Sequence, residues 1–135
     1  MKNLIKKYDE KGFTLMEMLI VVAIIAILVA IAFPIFNKQL NNARVATDAA
    51  NIRSGYAVAT SMVLEKSDAL KEKENYLQKD RSVGKETNAY TTQGEAKKDD
   101  DVVKSLGSCG ITDGWEKGAK VTYTYNGDKV TAKVA

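Results

Sequence analysis

Three places in this 135-residue sequence carry side chains that could do chemistry. Glu17 is a carboxylate set among Phe13, Leu15, Met16, Met18 and Leu19. Lys97-Lys98 followed by Asp99-Asp100-Asp101 is a block of both charges, and Cys109 is the single thiol. No histidine is present, which excludes a Ser-His-Asp triad, a Cys-His pair and a His-ligated metal site. The acidic triplet lacks the alternate spacing that converges oxygens on Ca²⁺. Acids balance the neighbouring lysines, so the block reads as a solvated loop. Cys109 has no second cysteine to bridge, and with Ile111 and Trp115 it reads as core. No catalytic residue, cofactor site or metal site is expected. That leaves Glu17.

Glu17 stands out because of the element around it. From Met18 to Phe36 no side chain is charged or strongly polar, and 13 of the residues are Leu, Ile, Val or Phe. As a helix this run spans about 28 Å, close to the hydrocarbon thickness of a bilayer. Those residues favour insertion by roughly 4–8 kcal/mol, whereas an acid near a helix centre costs about 3 kcal/mol. Upstream, Lys2, Lys6, Lys7 and Lys11 outnumber Asp9 and Glu10, which assigns that flank to the cytoplasm and residues from Lys38 onward to the outside. A carboxylate one turn inside such a segment is either tolerated at the membrane interface or has a cationic partner in the membrane or an assembly, and one straight helix offers no obvious one. An α-amino group freed by cleavage just upstream would be one.

The stretch Lys11-Gly12-Phe13-Thr14-Leu15-Met16-Glu17-Met18-Leu19-Ile20 resembles the class III signal of type IV prepilins and pseudopilins. The resemblance is specific from Lys11 to Phe36, including Pro34. It implies cleavage between Gly12 and Phe13 by a prepilin peptidase, N-methylation of Phe13, and assembly roles for Phe13, Glu17 and Pro34. The leader would be residues 1–12, the membrane and filament-core helix 13–36, and the globular headgroup 37–135. A cut before the apolar segment leaves the anchor in place, unlike an ordinary secretory signal. The rival A-x-A site at Ala30-Ile31-Ala32 leaves Glu17 unexplained and needs a long leader.

Pro34 removes one helical hydrogen bond and collides with the Ala30 carbonyl, so a kink or local unwinding is expected near Ala30 to Phe33. It could be passive or a hinge. Beyond it Val45, Ala49, Ile52, Tyr56, Ala59 and Val63 form one apolar stripe, with Asn41, Arg44, Thr47, Asp48, Asn51 and Ser54 on the remaining surface. A single helix from about Phe13 to Lys66 is expected, with Gly55 a weak point in it. Residues 67–101 read as an exposed, charged connection in which Ala69, Leu70 and Leu77 prolong the helix or form a short second one.

The last third reads as strands. Val121, Tyr123 and Tyr125 alternate with polar residues, as do Val130, Ala132 and Val134. Asn126-Gly127 between them predicts a two-residue hairpin pairing Tyr125 with Asp128, Tyr123 with Val130 and Val121 with Ala132. A third strand is expected from Val102-Val103 or from Cys109 to Ile111, because two strands do not stand alone. The expected class is α+β: a long N-terminal helix whose outer half packs on a small antiparallel sheet.

The net charge of +3 is too small to make nucleic acid the main partner. The resemblance implies a non-enzymatic subunit. It would reside in the cytoplasmic membrane, in contact with lipid, before joining a helical homopolymer at the cell surface. Its other implied partners are the peptidase, an inner-membrane platform protein, an assembly ATPase and minor pilins. A major pilin of the Gram-positive kind is expected, serving adhesion, twitching motility or biofilm. A pseudopilin of a secretion or DNA-uptake machine is the alternative, and a membrane-tethered surface domain that never polymerises is a third reading.

Overall fold

The computed structural model describes residues 12, 14–65, 70 and 75–135. The chain divides into two compact units, one ending at Lys38 and the other running from Gln39 to Ala135. Helix α1 covers Leu15–Glu65, close to the bounds expected from the pattern. It is uninterrupted across Pro34, so the local unwinding anticipated near Ala30 is absent. Pro34 forfeits only its own N–H bond, and the bonds on either side keep the helix in place. Within the first unit every described residue of α1 up to Lys38 is exposed.

In the second unit the apolar stripe is buried as its spacing requires: Val45, Ala49, Ile52 and Ala59 lie in the core, with Tyr56 and Val63 packed against it. The stripe faces a four-stranded antiparallel sheet of β1 (Asn75–Leu77), β2 (Val83–Gly84), β3 (Val121–Tyr125) and β4 (Val130–Val134), in the order β2-β1-β3-β4. Leu77, Val121 and Tyr123 are fully buried. Tyr123 sends its hydroxyl into the helix, donating to the Ile52 carbonyl at 2.7 Å. Gly55 makes room for it, since a Cβ there would stand 2.3 Å from that hydroxyl. Gly55 is therefore a point of close approach and not merely a weak point in the helix.

Three expectations for this unit are corrected. The extra strands come from the charged segment, not from Val102-Val103, which lies in the short helix α2 (Asp101–Ser105), nor from Cys109, which ends a 3-10 turn. The register of β3 and β4 is Tyr125 with Val130, Tyr123 with Ala132 and Val121 with Val134. The loop is thus the four residues Asn126–Lys129, in which Asn126 Oδ1 accepts the N–H groups of both Asp128 and Lys129 at 3.0 Å. The slip is two residues, so the apolar faces still coincide, and Gly127 adopts the positive φ (92°) foreseen for the turn.

The third correction concerns residues 67–101. Lys66 to Ala69 and residues 71–74 lie outside the described residues. Of the rest, Leu70, Leu77, Val83, Thr92 and Ala96 are buried. Thr92 pairs with Ala119 and Gly118 through its backbone and donates its hydroxyl to the Glu116 carbonyl at 2.6 Å. Ala96 and Trp115 exchange backbone bonds of 2.9 and 2.8 Å. Asp48, placed on the open helix face by its polarity, is fully buried. Its carboxylate accepts the Tyr90 hydroxyl at 2.5 Å and the N–H groups of Gln93 and Gly94 at 2.9 Å, tying this segment to α1. Burial, and then the bond to Asp48, push the Tyr90 phenol up to about 12.

Along β4, Gly110 (φ 96°) lies where a Cβ would meet Thr131 Cγ2 at 2.5 Å and the Ala132 backbone at 3.5 Å. Cys109, Ile111 and Trp115 are buried, as their apolar character requires.

Candidate functional site

Gly12, the first described residue, is exposed and outside regular structure. Phe13 lies outside the described residues. Thr14 then caps α1: the Thr14 N–H donates to Glu17 Oε2 at 2.9 Å, and the Glu17 N–H donates to Thr14 Oγ1 at 3.3 Å. The first helical bond follows, from Met18 N–H to the Thr14 carbonyl at 3.2 Å. This reciprocal pair is a capping box, which satisfies two N–H groups that the helix leaves unpaired at its start.

Within its own helix the Glu17 carboxylate accepts the Thr14 N–H, a neutral donor rather than a cation. It also sits in the first turn, where the helix dipole favours negative charge. Oε1 takes no hydrogen bond from the described residues, so one oxygen is available to a second donor.

Beyond the cap, the surface is apolar and uncovered. Leu15 is 80% exposed, Phe33 63% and Phe36 64%. This helix is long and apolar enough to cross a membrane. An apolar face of this extent, with no polar residue between Met18 and Phe36, is unmatched by any covering element among the described residues.

The other chemistry-bearing residues do not assemble into a centre. Asp100 accepts the Lys97 N–H at 2.7 Å, and Asp101 lies 3.7 Å from Lys104. Lys98 lies 3.5 Å from Asp113 at the exposed surface. Among the described residues no group of acids and thiol is placed to hold a metal ion. The buried Asp48 is a charged residue that the sequence pattern missed, as it missed the buried Gln78 and Thr92. The one sequence signal for Asp48 is an acid flanked by the buried positions Val45, Ala49 and Ile52.

Comparison with known proteins points to the same segment. Residues 7–33 match the prokaryotic N-terminal methylation motif. The chain is 57% identical over 53 residues to the type IV narrow pilus major component PilA5 of Thermus thermophilus, covering 37% of this chain and 46% of that protein. It is 50% identical over 38 residues to the fimbrial protein EcpB of Eikenella corrodens, covering 28% of this chain and 24% of that one. The matches thus span less than half the length of either relative. No solved structure matches. The chain thus carries a prokaryotic N-terminal methylation motif and, over part of its length, is similar to two type IV pilus and fimbrial proteins.

Proposed function

We propose that this chain is a structural subunit of a type IV pilus, processed between Gly12 and Phe13 and then polymerised through its N-terminal helix. The observation that carries the proposal is the uncovered apolar helix beginning at Leu15, headed by the capped Glu17. In a bilayer that surface meets lipid; in a filament it meets the same helix of neighbouring subunits. On this reading residues 1–12 are the leader, residues 13–36 the membrane and filament-core segment, and residues 37–135 the headgroup at the filament surface. A prepilin peptidase cuts the leader on the cytoplasmic side and methylates Phe13. A platform protein, an assembly ATPase and minor pilins complete the machinery, and the subunit itself is not an enzyme. The major-component relative favours a major pilin over a pseudopilin.

Glu17 supplies the assembly contact in this scheme. Oε2 stays with Thr14, and Oε1 receives the α-amino group of Phe13 from a neighbour. The test combines two variants. Gly12→Val should leave an unprocessed precursor in the membrane and no filaments. Glu17→Ala should insert and be cleaved as usual but enter filaments poorly. Normally processed Gly12→Val protein would remove the processing assignment. Abundant sheared filaments from Glu17→Ala would remove the role of the carboxylate, and processed protein that never leaves the membrane would favour the non-polymerising surface domain.

A further inference from the structure

The β3–β4 loop holds the one Asn-Gly step in the sequence, in a geometry that favours chemistry between the two residues. All four loop residues, Asn126 to Lys129, are exposed. Nothing stands within 4 Å of the place where a Gly127 side chain would begin. No hydrogen bond from the described residues engages the Gly127 N–H. Asn126 Oδ1 accepts two N–H groups, from Asp128 and Lys129, each at 3.0 Å. Those bonds hold the side-chain carbonyl of Asn126 to the loop backbone and polarise it.

We propose that Asn126-Gly127 is a self-modifying site, at which the Gly127 backbone nitrogen attacks the Asn126 side-chain amide and converts it to aspartate or isoaspartate. Hydroxide removes the Gly127 amide proton, and the nitrogen bonds to Asn126 Cγ. Negative charge collects on Oδ1, where the Asp128 and Lys129 N–H groups already point, as donors in an oxyanion hole do. The bond from Cγ to the side-chain nitrogen then breaks, and ammonia departs after taking a proton from water. Water opens the resulting succinimide at either carbonyl. The balance is one water consumed and one ammonia released, with no oxidation or reduction. A neutral amide becomes a carboxylate, so the formal charge of the chain falls from +3 to +2 (3 − 1). The isoaspartyl product also adds a methylene to the backbone and removes the Oδ1 acceptor that organises the loop.

Among the described residues, Asn88 and Asn51 lack this combination. Asn88 is followed by Ala89, whose N–H is committed to the Glu86 carbonyl at 3.1 Å. Asn51 precedes Ile52, whose branched side chain crowds the nitrogen inside α1.

The experiment ages the purified full chain in detergent, in mildly alkaline and mildly acidic buffer. Isoaspartate is located by isoaspartyl methyltransferase labelling and peptide mass mapping, and hydroxylamine is used to trap the imide by cleavage after Asn126. The expected result is isoaspartate at Asn126, accumulating several-fold faster than at Asn51 or Asn88 and faster in the alkaline buffer. Gly127→Ala should slow it several-fold, and circular dichroism of that variant checks that it is folded. Amide retained at Asn126, or conversion only after unfolding in urea, would overturn the proposal.

Discussion

Replacing Gly55 by alanine sets two principles against each other. In the interior of a helix alanine is favoured over glycine by about 1 kcal/mol, so propensity alone makes Gly55→Ala stabilising. The packing says the opposite. The new Cβ would lie 2.3 Å from the Tyr123 hydroxyl, 2.8 Å from Tyr123 Cζ and 2.7 Å from Leu77 Cδ1. The leucine methyl can rotate away. The tyrosine ring cannot, because it is fully buried and its hydroxyl is fixed on the Ile52 carbonyl at 2.7 Å. Overpacking of this kind costs about 1–3 kcal/mol, and a buried hydroxyl forced off its acceptor a further ~1–3 kcal/mol. The net expectation is a loss of about 3 kcal/mol, which lowers the melting temperature of the unit from Gln39 to Ala135 by roughly 10–20 °C. Urea and thermal unfolding followed by circular dichroism give both numbers. Tyr123→Phe removes the nearest atom, so the double variant should lose clearly less than the sum of the single losses. A raised melting temperature in Gly55→Ala, or additive losses in the double variant, would refute the close-approach argument.

Other perturbations probe separate parts of the molecule. Asp48→Asn replaces an acceptor oxygen with an NH₂ group that faces backbone N–H donors; it should cost about 2 kcal/mol and raise amide hydrogen exchange at Gln93 and Gly94. Glu17→Gln keeps shape but not charge, so it should match the assembly defect of Glu17→Ala in sheared-filament yield, whereas near-normal yield would assign Glu17 a packing role. Burial raises the phenol pKa of both Tyr90 and Tyr123. Folding therefore favours their protonated forms, and the stability they contribute is complete below the ordinary tyrosine pKa of about 10. It should fall as pH rises from there; for Tyr90 the decline continues to about 12. Tyr90→Phe and Tyr123→Phe should each flatten the alkaline limb of a stability-against-pH curve.

What was legible in the sequence was whatever a single element decides for itself. The bounds of α1, its buried stripe and the faces of β3 and β4 follow from local periodicity. The N-terminal methylation motif is a contiguous run and needs no fold to be recognised. Features that depend on contacts distant in sequence were not legible. β1 is only three residues long and becomes a strand by pairing with Val83 and Gly84 on one side and with Thr122 and Tyr123 on the other. Asp48 looks like a surface residue until residues 90–94 close over it. The hairpin register turned on one side chain: Asn126 captures two N–H groups and moves the turn along the chain. Glu17 was legible as an anomaly, but its bond to Thr14 depends on how the helix begins.

Gly110 has a consequence for how copies of this chain meet. Lys120 and Ala135 exchange backbone bonds of 2.8 and 3.0 Å, which fixes the phase of the β3–β4 ladder. Counting in alternate pairs from there, Val130, Ala132 and Val134 turn their N–H and C=O groups away from β3, toward the outer margin of the sheet. A margin of this kind invites another chain to add a strand. Ala132, at its middle, is 1% exposed, and Gly110 lies against its backbone. The opposite margin, β2, is two residues long and offers little to pair with. Pairing of copies edge to edge through β4 is thereby disfavoured. If the chain polymerises through its helix as proposed, a glycine far from that helix in sequence helps keep contacts between copies off the sheet margin.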